Sequence, residues 1–327
     1  MASPIQRSPS SARAAGRFLM RVALSLAQVV LIVLASTPAP AQTQAETRQQ
    51  LLQQVESGRL REAVSLGEKA VAQWPQDPQI RHYLGLAYFK AGDLPQAKAQ
   101  LTRARELNPK DPDTPFDLAL VLLSQRDYVA AADQLEAALK LAPSNPLAHV
   151  LLGRAYLNSN RSVQAIGEFK AALRLDPALR LGHYHLGFAY SSLGRNDEAI
   201  AEYKTELQHA GENPDVAYEL GHSLLESGKH EEAITYLQRA SELAPRNFDV
   251  WYNLGKAQVL ADRAAPAETS LRKAIELKPG DPSPHYQLAR ALEKSGKNEE
   301  ARAERARFAE LKKTQQATAG MATARDQ

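Results

Sequence analysis

The sequence predicts an all-α solenoid of eight 34-residue helix-turn-helix units, and three observations predict it. One period recurs without a slip. With position 1 set at Gln44, Pro78, Pro112, Pro146, Arg180, Pro214, Phe248 and Pro282, residues 44–315 divide into eight units with no insertion or deletion. Small and apolar residues return at fixed positions of that period. Ala holds position 20 in all eight units (Ala63, Ala97, Ala131, Ala165, Ala199, Ala233, Ala267, Ala301), and Leu holds position 7 from Leu84 to Leu288. Finally, Ala and Leu dominate the composition and Cys is absent, a mixture that favours helix over sheet. At 327 residues the chain has the length of two ordinary domains, but a repeat array needs no single large core.

The first element is an address rather than part of the fold. Residues 1–21 are rich in Ser, Arg and Pro and carry no acid, and Val22 to Ala35 carries no charge at all. Pro38 and Pro40 then break any helix, and Ala39 and Ala41 supply small residues. A basic start, an apolar core and an Ala-x-Ala site describe a secretory signal peptide over 1–41, cleaved after Ala41. The apolar run is short of the roughly 20 residues a membrane-spanning helix needs. An uncleaved signal-anchor is the other reading, and both place the array outside the cytoplasm, periplasmic or secreted. The segment also corrects the charge. The formal +3 includes Arg7, Arg13, Arg17 and Arg21; without them 36 basic residues face 37 acidic ones. The array has no basic excess to attract phosphate backbones, so no nucleic-acid partner is expected.

Within 42–315, each unit reads as two helices, A and B. Positions 4, 7, 8 and 11 share one face of helix A. Position 8 is Gly85, Gly153, Gly187, Gly221 and Gly255, with Ala119 and Ala289. With the position-20 Ala, these small residues let A and B approach. Ala returns at position 27 (Ala70, Ala104, Ala138, Ala172, Ala240, Ala274), and Pro at position 32 (Pro75, Pro109, Pro143, Pro177, Pro245, Pro279) stops helix B. Pro at position 1 suits the first turn of the next helix, and turns such as Lys90-Ala91-Gly92-Asp93 put Gly where helix A ends.

In order, the units are 44–77, 78–111, 112–145, 146–179, 180–213, 214–247, 248–281 and 282–315. The six from 78 to 281 are rich in the pattern. The first and last depart from it, with Gln50, Leu51 and Gly67 in one and Arg305, Phe308 and Lys313 in the other. Terminal units of a solenoid need a polar outer face, so Lys297 to Lys313 reads as a solvating last helix. Residues 316–327 read as a disordered tail.

At these positions the chain resembles the tetratricopeptide repeat (TPR) family, whose pattern is W-x2-L-G-x2-Y…A-x3-F…A…P. FDVWYNLGKAQVLADRAAPAETSLRKAIELKPGD (248–281) follows it closely, although Gln258 replaces the position-11 aromatic. The resemblance covers 272 of 327 residues. It implies a right-handed TPR superhelix, with positions 2, 5, 9, 12 and 13 of helix A lining an inner groove. Carried onto this sequence, positions 5 and 9 give the candidate partner-binding residues Phe116, Leu120, Arg154, Tyr184, Phe188, Tyr218, His222, Tyr252, Lys256, Tyr286 and Arg290. The N-terminal half of this groove is mostly apolar (Phe89, Phe116, Leu120, Leu123, Val150). The C-terminal half sets a Tyr ladder beside His222, Lys256 and Arg290. Tyr and Arg anchor partners well because they bury area and still hydrogen-bond, but Tyr at position 5 is also ordinary framework in this family. The chaperone-tail carboxylate clamp of some relatives is not matched. No unit has Lys at position 5, and only Asn253 fits at position 6.

Nothing in the sequence carries catalysis, and no cofactor or metal is expected. There is no phosphate-cradling Gly loop, no Cys nucleophile and no His-Glu-x-x-His. His183 and His185, two apart on a helix, face different ways. Glu231-Glu232 and Glu299-Glu300 stand where helix B starts, where anions suit the helix dipole. The expected function is a non-catalytic scaffold or adaptor of the cell envelope, holding a protein or an extended peptide in its groove. The competing expectation is a carbohydrate or envelope-polymer binder within a polysaccharide or outer-membrane assembly system, using Tyr rings to stack on sugars. With only Trp74 and Trp251 available, it is the weaker of the two.

Overall fold

The structure, a computed structural model, describes residues 43–325. Among these residues there are sixteen helices and no strand. They form eight hairpins: α1 (Gln44–Glu56) with α2 (Leu60–Gln73), α3 (Pro78–Ala91) with α4 (Leu94–Leu107), α5 (Asp113–Ser124) with α6 (Tyr128–Leu141), and α7 (Pro146–Asn158) with α8 (Ser162–Leu175). Then come α9 (Gly182–Ser191) with α10 (Asn196–Ala210), α11 (Pro214–Glu226) with α12 (His230–Leu243), α13 (Phe248–Leu260) with α14 (Ala264–Leu277), and α15 (Ser283–Lys294) with α16 (Asn298–Arg325). Each helix packs on the next, and at six of the seven junctions the A helices of successive hairpins also touch. The chain is therefore an α-α solenoid in which a unit meets only its neighbours. The signal-peptide expectation for 1–41 lies outside the described residues.

Helix ends follow from a few positions of the period. Position 34 supplies the N-cap: Asp77 accepts from the N–H groups of Gln79 and Ile80, Asn145 from Ala148, Asn213 from Asp215 and Val216, and Asn247 from Asp249 and Val250. Each side chain satisfies donors that a helix start leaves free. Asp77 also accepts from Gln44 and Arg48 of the first unit, at 2.5 and 2.6 Å. Burial alone would raise its carboxyl; Arg48, the Ile80 N–H and Gln44 outweigh that and hold it below the usual range. Position 15, in the turn from A to B, has positive φ in every unit. Gly takes it five times (Gly58, Gly92, Gly194, Gly228, Gly296), and Arg126, Asn160 and Asp262 adopt φ near 60° in the others.

Two kinds of side-chain latch join consecutive units. Position 4 reaches back to the carbonyl of the preceding position-32 Pro: Arg81 to Pro75 at 2.8 Å, His149 to Pro143 at 3.1 Å, Trp251 to Pro245 at 2.9 Å. Lys at position 13 donates to a carbonyl at the C-terminal end of the preceding A helix, Lys90 to Val55 and Lys294 to Val259. A cation there also complements the helix dipole.

The A–B crossing is tighter than the period alone conveys. A Cβ added at Gly85, Gly221 or Gly255 would come within 2.6 Å of the Leu at position 24, namely Leu101, Leu237 or Leu271. At Gly153 and Gly187 it would strike the rings of Phe169 and Tyr203. The small residue at position 8 therefore exists to admit the large one at position 24. The position-20 Ala residues are buried alongside, each at most 1% exposed. The largest buried cluster runs from Ala119 to Ala257, through units three to seven.

One junction breaks the rule. Between units four and five, position 34 is Leu179 and position 1 is Arg180, so neither a polar cap nor a Pro starts the next helix. Accordingly α9 begins late, at Gly182, after Leu181 in the left-handed region. Glu206, where six units have Ala at position 27, supplies the cap instead. It is 2% exposed and accepts from the N–H groups of Leu181 at 2.9 Å and Tyr184 at 3.3 Å. The late start leaves a hollow of about 800 Å³ beside Pro177, Arg180, His183 and His209.

The last helix corrects an expectation. The tail predicted as disordered from 316 is helical as far as Arg325. The physical reason lies at position 32, where Lys313 replaces the Pro that ends most other B helices. Nothing then stops α16, and good helix formers carry it on.

Candidate binding groove

The position-5 and position-9 side chains all sit on A helices, and none of the eleven candidates is fully buried. Phe116 and Leu120 lie on α5, Arg154 on α7, Tyr184 and Phe188 on α9, Tyr218 and His222 on α11, Tyr252 and Lys256 on α13, and Tyr286 and Arg290 on α15. Their surroundings differ more than their positions do. Phe116 and Leu120 pack against the central core. Tyr252 stacks on Phe248, with ring planes 2° apart, and Tyr286 lies against Phe308 of the last helix. Much of the C-terminal Tyr ladder is thus leaning on framework.

The cations separate in the same way. Lys256 is paired with Glu226 at 3.2 Å, and Arg290 donates to Gln287 at 3.0 Å. Arg154 is exposed and has no ion pair or side-chain hydrogen bond among the described residues. It stands with Tyr184 and Phe188 around one hollow of about 440 Å³, closed by Leu157, Asn158 and His185. Phe188 is 41% exposed there. Of the candidates, these three converge.

A second row runs beside the groove and was not singled out by the sequence. Position 5 of one unit meets position 6 of the next: His82 and Asp117 at 2.6 Å, and the Tyr218 hydroxyl accepting from Asn253 at 3.3 Å. Glu219 holds the same place after Tyr184. Burial raises the carboxyl of Glu219, and Asp215 adds to it. Burial also pushes the hydroxyls of Tyr184 and Tyr218 up to about 12, with Glu219 contributing to both. Both tyrosines therefore remain neutral hydrogen-bond donors at ordinary pH. The 35-residue spacing of these pairs was the available signal, one residue more than the period.

The histidines also sort by environment. His183 is held by Glu202 at 2.7 Å, repeating the pairs His149–Glu168 and His285–Glu304 between positions 4 and 23. His185 instead stacks on Phe169, with ring centroids 5.5 Å apart. Burial, then the charge of Arg154, pushes the His185 imidazole down to about 4. Such a group gains a proton when the chain unfolds, so its contribution is complete above pH 6.5 and is lost as pH falls from 6.5 toward 4. Allowing for its partial exposure, about 2 kcal/mol of local stability should disappear across that window. Melting curves at pH 7 and pH 4.5 should show His185→Gln losing less on acidification than the natural chain; equal losses would count against this account.

Among the described residues no group of three His, Asp or Glu side chains is placed to hold a metal ion, and no helix is long and apolar enough to cross a membrane. Models of the tetratricopeptide repeat match residues 54–113, 270–303 and, in three overlapping spans, 116–180, 179–238 and 218–282. No curated protein matches the sequence. Solved structures share the fold. One is YrrB, described as a TPR protein with an unusual peptide-binding site, at 20% identity and a TM-score of 0.51 over 55% of this chain and 93% of that one. Another is MamA, at 21% identity and 0.50 over 52% and 92%. A third is the Cut9–Hcn1 hetero-tetramer of APC/C, at 16% identity and 0.51 over 76% and 49%.

Proposed function

The chain belongs to the tetratricopeptide-repeat family, and on that premise we propose that it is a non-catalytic scaffold of the cell envelope that holds a partner protein or extended peptide against its A helices. One observation carries the reading. The helix-A face keeps eleven aromatic, aliphatic and cationic side chains accessible from α5 to α15, although the same helices bury their opposite sides completely. On that face Phe188 and Tyr286 are 41% and 46% exposed, and Phe188 shares one hollow with Tyr184 and Arg154. The description of YrrB as peptide-binding supports the same reading. The envelope location rests on the charge and apolar pattern of residues 1–41.

A photo-crosslinking side chain at position 188, in the native host, should capture a defined partner. The same group at Val163, 71% exposed at the start of a B helix, should not. Equal labelling from both positions, or none from 188, would refute the placement. Identifying the captured protein by mass spectrometry, and fractionating the cell around it, tests the location at the same time.

A further inference from the structure

We propose that the groove hollow lined by Arg154, Tyr184 and Phe188 is an anchoring subsite for an acidic side chain of an extended peptide that carries apolar residues about three positions to either side. This rests on the scaffold reading and narrows it to one ligand chemistry. The position-9 side chains form a row along the A helices: Leu120, Arg154, Phe188, His222, Lys256, Arg290. Within it Arg154 is the cation with neither an ion pair nor a side-chain hydrogen bond among the described residues, whereas Lys256 pairs with Glu226 and Arg290 is held by the neutral amide of Gln287.

The walls of the hollow agree with that charge. No acid lines it; besides Arg154, its polar groups come from Asn158, Asn160, two serines, Tyr184 and His185. His185 is kept neutral by burial and by Arg154 itself, so it neither competes for the anion nor repels the arginine further. An unpaired guanidinium beside neutral donors suits a carboxylate, which it can grip through two parallel hydrogen bonds. The neighbours in the row are apolar on both sides, Leu120 before and the exposed Phe188 after.

The geometry sets the spacing. Packed helices lie up to about 10 Å apart, and an extended peptide advances about 3.3 Å per residue. One unit of the array therefore corresponds to about three residues of ligand. An acid over Arg154 places residues three before and three after it near Leu120 and Phe188. The occupant is an internal acidic side chain rather than a chain end, because the row of groove side chains continues past the hollow in both directions, and its other cation without an ion pair, Arg290, lies four units away and is held by Gln287.

A displayed library of random dodecapeptides, selected against the full chain and against the Arg154→Glu variant, tests this. The natural chain should enrich Asp or Glu with apolar residues three positions away. The variant should instead enrich Lys or Arg at that place. A synthetic form of the strongest binder, amidated at its C-terminus, should lose at least tenfold in affinity when its acid becomes Gln. Arg154→Gln should lose a similar factor for the original peptide and nothing further for the Gln peptide. Circular dichroism checks that both variants fold, as the exposed site predicts. Enriched peptides with no acidic preference, or the same preference in Arg154→Glu, would overturn the subsite and leave the scaffold reading standing. No enriched peptides from either protein would remove both.

Discussion

Valine at position 153 should destabilise the array by about 3 kcal/mol, the upper end of what overpacking a core costs. A Cβ built on Gly153 lies 2.6, 2.8 and 2.9 Å from three ring atoms of Phe169. That ring cannot step aside. It is 1% exposed and stacks on His185 along its other contacts. Even Gly153→Ala should lose stability, against the gain of about 1 kcal/mol that Ala offers in a helix interior. The two effects have opposite signs, so the direction of the change reports which one governs. Unit three suggests the remedy, since Ala119 faces Leu135 at the equivalent crossing and both are fully buried. Gly153→Ala combined with Phe169→Leu should therefore be milder than Gly153→Ala alone. Because repeat arrays are stabilised unit by unit, hydrogen exchange over α7 and α8 should register the loss alongside the denaturation midpoint. A rise in the midpoint for Gly153→Ala would show the crossing to be looser than the contact distances require.

Gly153 also marks how far the sequence can be read. Its recurrence at position 8 points to the close approach, because Gly is costly in a helix interior and its return at one position of the period calls for a reason; Gly167, which does not recur, faces open space. What it cannot give is the partner. Opposite the five position-8 glycines, position 24 varies among Leu, Phe and Tyr, and only the folded crossing shows that these large groups fill the space the Gly leaves. The groove behaves similarly. Placing Tyr252, Tyr286 and Arg154 on one face needs only the period and the family pattern. That Tyr252 stacks on Phe248, that Tyr286 leans on Phe308, that Lys256 is paired with Glu226 and that Arg154 has no such partner depends on which side chains stand beside them, within the unit or in the one before. Periodicity assigns faces; neighbours assign charge and exposure. The tail shows the converse. The absence of Pro at Lys313 was visible, and it should have extended the last helix.

The junction at Arg180 is where the repeat fails locally and the fold recovers through a distant residue. Glu206→Ala should cost about 2 kcal/mol, because the part-buried N–H groups of Leu181 and Tyr184 would lose a charged acceptor. By sequence pattern the change looks harmless, since Ala is the usual residue at position 27 and is small enough to pack. The difference lies at the start of α9. Elsewhere Asn-Pro, as in Asn145-Pro146 and Asn213-Pro214, caps and begins the A helix. Here Leu179-Arg180 can do neither, so Glu206 performs the capping from the last turns of α10. The substitution is therefore rescued by the local device it replaced. Leu179→Asn and Arg180→Pro added to Glu206→Ala should restore most of the loss, and added to the natural chain should gain little, since the same donors would already be satisfied. Denaturation midpoints of the four proteins form a cycle whose coupling reports the shared donors. Additive effects would mean that Glu206 acts through packing alone. Coupled effects would mean that α9, which carries Tyr184 and Phe188 of the groove, is held in place by a carboxylate from the opposite helix of its own hairpin.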